Sequence, residues 1–377
     1  MADAPTRPSS NAWRINGLPR RITVLLTGVG GGGHGEQILK ALRLARLDLE
    51  IVGTDITPFS SGLALVDHPY LVPKASEPDY IPALMRLCGK HGVQAMFHGS
   101  EPELKVMAAH RGEIEDRGIF LPINPDAVID ICMDKVKTAA FLQGRGFGHP
   151  RYAEITGCEQ LKDFPIYPAV LKPSVGGGGS AMTGVAQSPE EAVYLGRQLL
   201  DIFGRFIIQE YVGTPDDEYT VGVLTDMDGR LINSIALRRY LMSALSNRFK
   251  IPNRTPRKEL GPVLVISSGI SQGYIGHHAE VQRQCEEIAL ALGARGAINI
   301  QCRFVGGRVI PFEINPRFSG TTSLRAMVGY NEPEILLRRH VLKEEIEPHF
   351  PYDSGTVTRS LAESLQRDSE HPSLAQA

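Results

Sequence analysis

Residues 298–322 read INIQCRFVGGRVIPFEINPRFSGTT. Two runs rich in isoleucine, valine and phenylalanine flank Gly306-Gly307, which is the pattern of a β-hairpin closed by a tight turn. Gln301, Glu313, Asn315 and Arg317 are foreign to so apolar a hairpin, and their register decides what they can do together. A strict two-residue turn pairs Gln301 with Phe312 and puts Gln301 and Glu313 on opposite faces. A three-residue loop or glycine bulge instead sets Gln301 opposite Glu313. The second register is expected. It aims Gln301, Glu313 and Asn315 together as an all-oxygen cluster suited to Mg²⁺ or Mn²⁺, with places left for phosphate oxygens and water. Arg317, two residues on, then reaches a phosphate being transferred. The bland alternative is an edge hairpin with solvated polar side chains.

The N-x-Q hairpin ending E-x-N-P-R resembles the ATP-grasp superfamily, most closely the synthetase units of the carbamoyl-phosphate synthase large subunit and similar carboxylate-amine ligases. The resemblance implies that Gln301, Glu313 and Asn315 hold the metals and that Arg317 meets the reacting phosphate.

A second motif, YPAVLKPSVGGGGSAMTGVA, puts Lys172 at the end of a strand, then four glycines at 176–179, then Ser180 and a returning strand. Consecutive glycines free backbone N–H groups to approach phosphate oxygens, and their freedom suits a lid. This is no Walker A loop, because the lysine precedes the glycines. In the resembled family the matching lysine contacts the ATP phosphates and the loop covers them. The resemblance therefore assigns Lys172, Gly177, Gly178, Gly179 and Ser180 to ATP. It also assigns Lys135, in the Asp134-Lys135 pair that opens a helix, to an ATP phosphate. Glu210 and the backbone of Tyr211 and Val212 would form the hinge that reads the adenine edge, and Glu218 would bind the ribose hydroxyls. These motifs occur in the family's order across about residues 22–345.

From Ile22 the chain alternates strand and helix: ITVLLT, a helix over about 35–46, LEIVGTD, a helix over about 78–91, then VQAMFHG, which together predict a parallel α/β sheet. Gly28, Gly30 and Gly33 satisfy G-x-G-x-x-G after a strand, and Asp55 ends the next strand where a ribose-binding acid would sit. An NAD(P)-binding oxidoreductase is thus the runner-up, weakened by His34 after the glycines and by the lack of a redox constellation downstream. Under the resemblance this region is the pre-ATP-grasp domain, and its glycine loop, Gly31 included, shapes the floor of the substrate site. Glu101 closes a later strand and is expected to face the amine; a solvated carboxylate at a helix N-terminus is the alternative.

Residues 238–258, RRYLMSALSNRFKIPNRTPRK, hold seven cations and no acid. Such a run attracts anions. It is expected to be a loop that selects the carboxylate substrate, with Arg238 catalytic and Arg248 and Arg254 contacting substrate. Ser319 and Gly320 are the neighbouring substrate candidates.

The chain has 377 residues, 42% of them hydrophobic, with 40 basic against 42 acidic side chains. That balance gives no basic stripe for nucleic acid or an anionic membrane. Five scattered cysteines without a C-x-x-C pair fit a reduced cytoplasm better than a zinc or redox site. No apolar signal core or membrane-length run is legible. The expected fold is α/β followed by α+β: an ATP-grasp fold with an N-terminal Rossmann-like pre-ATP-grasp domain. Its expected parts are a disordered extension at 1–20, the α/β domain at 21–125, the ATP-grasp domain at 126–350 with a lid at about 150–212, and a fraying tail at 351–377. The expected reaction uses ATP and Mg²⁺ (or Mn²⁺) to join a small carboxylate, such as an amino acid, to an amine through an acyl phosphate, in a chain that pairs as a homodimer. A nucleotide-binding regulator is the non-enzyme alternative.

Overall fold

The computed structural model describes residues 21–176, 181–361 and the backbone of 375–376. The N-terminal extension, Gly177, Gly178, Gly179 and Ser180 of the glycine motif, and residues 362–374 and 377 lie outside the described residues.

The N-terminal unit contains β1 (Ile22–Leu26), α1 (His34–Leu44), β2 (Leu49–Asp55), β3 (His68–Leu71), α2 (Tyr80–His91), β4 (Ala95–Phe97), α3 (Glu101–Ala109) and α4 (Arg111–Glu115). Its sheet is parallel, in the order β3-β2-β1-β4, with the short strand Ala375–Gln376 added at the β3 edge. All five residues of β1 are buried, as befits a central parallel strand covered on both faces. Asn124, beside the domain limit expected at residue 125, is a latch. Its amide donates to the carbonyls of Ala297 and Pro316, and its oxygen accepts from Arg295 N–H.

Two helices, α5 (Asp126–Cys132) and α6 (Lys135–Gly144), lead to a small antiparallel sheet. It is built from β5 (Tyr152–Ile155), β6 (Ala169–Pro173) and β7 (Gly184–Ala186), then α7 (Pro189–Phe203) and β8 (Phe206–Glu210), in the order β5-β8-β6-β7. Ser188 caps α7 by accepting from Glu191 N–H, Pro189 starts it, and Gly204 at φ 69° ends it. Leu171 packs into the core shared with α7, so strand alternation turns Val170 and Lys172 to the opposite face.

The remaining elements are β9 (Glu218–Thr225), β10 (Leu231–Arg239), β11 (Asn247–Pro252), β12 (Val263–Ser267), β13 (Gly273–Gly276), α8 (Ala279–Leu292), β14 (Ala297–Val305), β15 (Arg308–Asn315), α9 (Thr322–Met327), α10 (Glu332–His340) and β16 (Gly355–Val357). Six strands form the central antiparallel sheet, ordered β15-β14-β9-β10-β13-β16. One face packs Val221, Val223, Ile298, Ile300 and Ile314 against Val281, Cys285 and Ile288 of α8. The other face changes character along its length. Leu224, Ile235 and Leu237 join a core shared with β1, α1, α9 and α10, whereas Glu218, Gln301, Arg303 and Glu313 face the gap toward the small sheet.

Two expectations need correction. Residues 238–258 are not a loop: Arg238 and Arg239 finish β10, and β11 pairs antiparallel with β12. Phe249 and Ile251 alternate with exposed Arg248 and Lys250, a strand pattern that the cation count hid. Nor does the chain fray from residue 351. Tyr352 and Val357 are buried, and β16 pairs with β13.

Candidate active site

The hairpin achieves its register by an unexpected route. Gly306 and Gly307 have φ of 58° and 77°, a two-residue turn with both residues left-handed, which matches the twist of the strands. By itself that turn would pair Gln301 with Phe312. The ladder slips instead between Cys302–Pro311 and Gln301–Glu313, so that Phe312 is the extra, bulged residue and Gln301 stands opposite Glu313. Asn299 stands opposite Asn315, two residues along each strand and therefore on the same face.

Lys172 meets this bulge from the small sheet. Its ammonium donates to the carbonyl of Phe312 at 2.8 Å and lies 5.6 Å from the centre of the Phe312 ring. Burial pulls Lys172 down to about 7, opposed by Glu313 and Glu218 and assisted by Lys135. Neither the Glu313 carboxylate nor the Gln301 amide takes a side-chain hydrogen bond or ion pair among the described residues. Both face a cavity, partly open to solvent, between the two sheets.

The same cavity is lined by Lys135, Glu210, Tyr211, Val212 and Glu218. Asp134 caps α6 by accepting from Val136 and Lys137 N–H, and is fixed by Arg205 at 2.6 Å. That cap turns Lys135 to the carbonyl of Gly176, at 3.2 Å, where the glycine motif begins. Glu210 is paired with Arg257 at 3.1 Å. The Tyr211 hydroxyl is held by both the N–H and the carbonyl of Val265, and the Val212 carbonyl accepts from Arg303.

Glu218 is 2% exposed and lies between Arg239, at 3.1 Å, and Arg303, at 3.2 Å. Arg303 also stacks 4.4 Å from the Tyr211 ring and donates to the carbonyls of Gly213 and Val265. Glu218 and Arg303 of this buried Arg-Glu-Arg group line the cavity, while Arg239 is paired to Glu218 without lining it, and neither arginine was singled out from sequence. Arg303 was legible, two positions after Gln301 and so on its face. Arg239 was missed by one residue: Arg238 is exposed on the opposite face, bonded to the Asp216 carbonyl, so it is not brought to the cavity. Arg248 is exposed, and Arg254 pairs with Glu191 at the surface; neither lines the cavity.

Arg317 and Asn315 form a second cluster beyond Glu313. Arg317 Nη2 donates to Glu101 Oε1 at 2.8 Å and to Asn315 Oδ1 at 3.1 Å, and Nη1 donates to the Phe318 carbonyl. Glu101 comes from the start of α3, so this pair joins the N-terminal unit to the hairpin. His34 and His98 lie close to Arg317, with their ring nitrogens 3.4 Å apart. Burial drives both imidazoles below their usual range, aided by Arg317, His98 to about 3. Ser319 is buried and hydrogen-bonded to Thr321, while the Gly320 carbonyl accepts from Arg359. Gly31 is exposed, with φ 74° and open space where a Cβ would project.

The donor set suits a hard cation. Gln301 and Glu313 present oxygens on one side of the cavity; Asn315 Oδ1 is shared with Arg317. No group of three or more His, Cys, Asp or Glu able to hold a metal exists among the described residues. One carboxylate with amide oxygens fits a Mg²⁺-like ion that keeps waters and phosphate oxygens, and does not fit zinc.

Comparisons with known proteins bear on the fold. Residues 24–122 match a family described as PylC-like, N-terminal domain, and residues 264–361 match one described as ATP-grasp in the biosynthetic pathway with Ter operon. The carbamoyl phosphate synthase large chain of Halobacterium salinarum is 24% identical over 309 residues, covering 78% of this chain. This chain spans only 28% of the length of that relative. The L-amino acid ligase of Bacillus licheniformis superposes with a TM-score of 0.59 at 15% identity, over 87% of this chain and 77% of its own. Biotin carboxylase of Campylobacter jejuni, solved as a β,γ-ATP complex, gives 0.59 at 16% identity, over 84% of this chain and 70% of its own.

Proposed function

We propose, from the premise that this chain is an ATP-grasp protein with a PylC-like N-terminal domain, that it is an ATP-dependent ligase joining a small carboxylate to an amine. The observation that carries the reading is the juxtaposition of Lys172 with the oxygens of Gln301 and Glu313, which take no side-chain hydrogen bond among the described residues, across the bulge. A cation and metal-binding oxygens facing one cavity are what a polyphosphate requires from both sides.

In this reading Lys172 and Lys135 receive phosphate oxygens, and Gln301 and Glu313, with Asn315 at the edge, hold Mg²⁺. The metal, when bound, offsets the negative charge that otherwise keeps a carboxylate from the γ-phosphate. The base lies at the Glu210–Val212 hinge, with Arg257 and Glu210 at its rim. The ribose end meets Glu218, whose oxygens are already held by Arg239 and Arg303. The carboxylate oxygen attacks the γ-phosphorus and ADP leaves; the amine then attacks the acyl carbon, and the C–O bond breaks to release phosphate. Arg317 follows the metal strand directly and is placed to steady the transferred phosphate.

The substrates are a small acid and an amine, and a homodimer completes the proposal, testable by sedimentation. Five free cysteines, four of them buried, support a reducing cytoplasmic setting. No helix among the described residues is long and apolar enough to cross a membrane. The deciding experiment measures ADP release across a matrix of amino acids, small carboxylates and amines, with mass spectrometry of the product. An amide formed in step with ADP is expected, and ADP formation indifferent to every acid would overturn the reading.

A further inference from the structure

The arginine placed to receive an anion already has one. Arg317 Nη2 holds Glu101 Oε1 at 2.8 Å, and no other ion pair joins the N-terminal unit to the hairpin among the described residues. The contact uses only one carboxylate oxygen and one guanidinium nitrogen. Arg317 Nε is buried with no hydrogen-bond partner, so the paired Nε–Nη2 edge, which best fits a carboxylate or phosphate, is half used. A buried donor left unmet costs free energy that a better-seated ligand recovers.

We propose that Glu101 occupies on Arg317 the seat of an incoming oxyanion, and that this anion displaces Glu101, which then turns to the ammonium of the second substrate. The proposal rests on the ligase reading for the identity of the anion, the acid or its phosphorylated form. The exchange is favoured by geometry, because a free carboxylate or phosphate can engage both Nε and Nη2, whereas Glu101 is tethered at the first residue of α3 and reaches only Nη2. Against the opposing effect of burial, Arg317, Lys135 and Lys105 hold the Glu101 carboxylate below its ordinary range, so it is ionised when the exchange begins. Once Arg317 is taken by the incoming anion, Glu101 has lost its bonded partner and is free to pair with an arriving cation. The consequence is an order of binding: oxyanion first, amine second. Glu101 thereby also suppresses premature occupation of the amine site.

The test uses inorganic phosphate as probe, titrated calorimetrically into the full chain, so that it does not depend on turnover. Glu101→Asp keeps the charge but shortens the side chain by one C–C bond, about 1.5 Å, whereas Glu101→Gln keeps the length and removes the charge. If the internal carboxylate fills the seat nine-tenths of the time, both variants should bind phosphate about tenfold more tightly than wild type. Neither should gain affinity in an Arg317→Ala background. A Glu101→Asp variant that binds like wild type while Glu101→Gln binds more tightly would reduce the effect to through-space charge and overturn the displacement. No change in either variant would overturn it also. In turnover, Glu101→Gln should raise KM for the amine with KM for ATP unchanged. Normal phosphate exchange without any ligation would defeat the ligase reading and leave this inference standing.

Discussion

The Lys172 ammonium is bonded to the carbonyl of Phe312, the residue bulged out of the β14–β15 ladder, at 2.8 Å. One local irregularity thus does two things: it sets Gln301 opposite Glu313, and it presents the acceptor that ties the small sheet to the central one. Pro311 beside it supplies no N–H, which suits a point where the ladder is already interrupted.

Lys172 makes phosphate binding pH-dependent. Its pKa lies near 7 in the fold, against roughly 10.4 in an unfolded chain. Between those values the unfolded chain holds the proton and the fold does not. The stability linked to this group is therefore fully present above the unfolded value and is lost as pH falls toward 7. ATP favours the charged amine and should draw a proton in above pH 7. Calorimetry in buffers of different ionisation enthalpy should show net proton uptake between about pH 7 and 10, absent in Lys172→Met. Proton release, or equal uptake in the variant, would contradict the assignment.

Glu313 contributes function and little stability, because among the described residues no donor is hydrogen-bonded to its carboxylate. Glu313→Gln should melt close to wild type, within about 0.5 kcal/mol, yet lose Mg²⁺-dependent turnover and tight Mn²⁺ binding followed by electron paramagnetic resonance. Retention of near wild-type activity would remove Glu313 from the metal site.

Adjacent arginines should behave oppositely. Arg239 is buried against Glu218, and its loss leaves that carboxylate with one partner, so Arg239→Ala should cost about 3–5 kcal/mol. Arg238→Ala, one residue away on the exposed face, should change stability by no more than about 0.5 kcal/mol. Chemical denaturation measures both, and equal effects would refute the face assignment.

These two residues also show where the sequence stopped being legible. The polar quartet, the lysine before the glycines and the strand-helix alternation are local patterns, and local patterns survive without coordinates. Which of Arg238 and Arg239 faces inward depends on the pairing of β10 with β9, a relation that no window of residues contains. The bulge at Phe312 was likewise invisible, although its effect on the Gln301–Glu313 register was inferred, with the turn glycines as the supposed cause. Arg359 returns from beyond the apolar core to bond Gln37, Ser271 and Gly320, a contact spanning more than 300 positions in sequence. The polar composition around it reads as a tail.

The glycine fingerprint should not bind a dinucleotide. Asp55, the residue placed to meet a ribose, accepts instead from the backbone N–H groups of Gly30, Ile56 and Thr57. Fluorescence titration with NAD(H) and NADP(H) should therefore show no saturable binding. A micromolar dissociation constant, roughly 8 kcal/mol of binding, would restore the oxidoreductase reading.

The most direct test of the account follows oxygen. Once an acid substrate is found, it is supplied with ¹⁸O in its carboxylate, and the phosphate released is analysed by mass spectrometry. Transfer through an acyl phosphate moves one carboxylate oxygen to phosphorus, so each phosphate should carry a single ¹⁸O, and Arg317→Ala should slow its appearance by about 10²-fold or more. Unlabelled phosphate, formed while ADP accumulates and amide appears, would contradict the central claim.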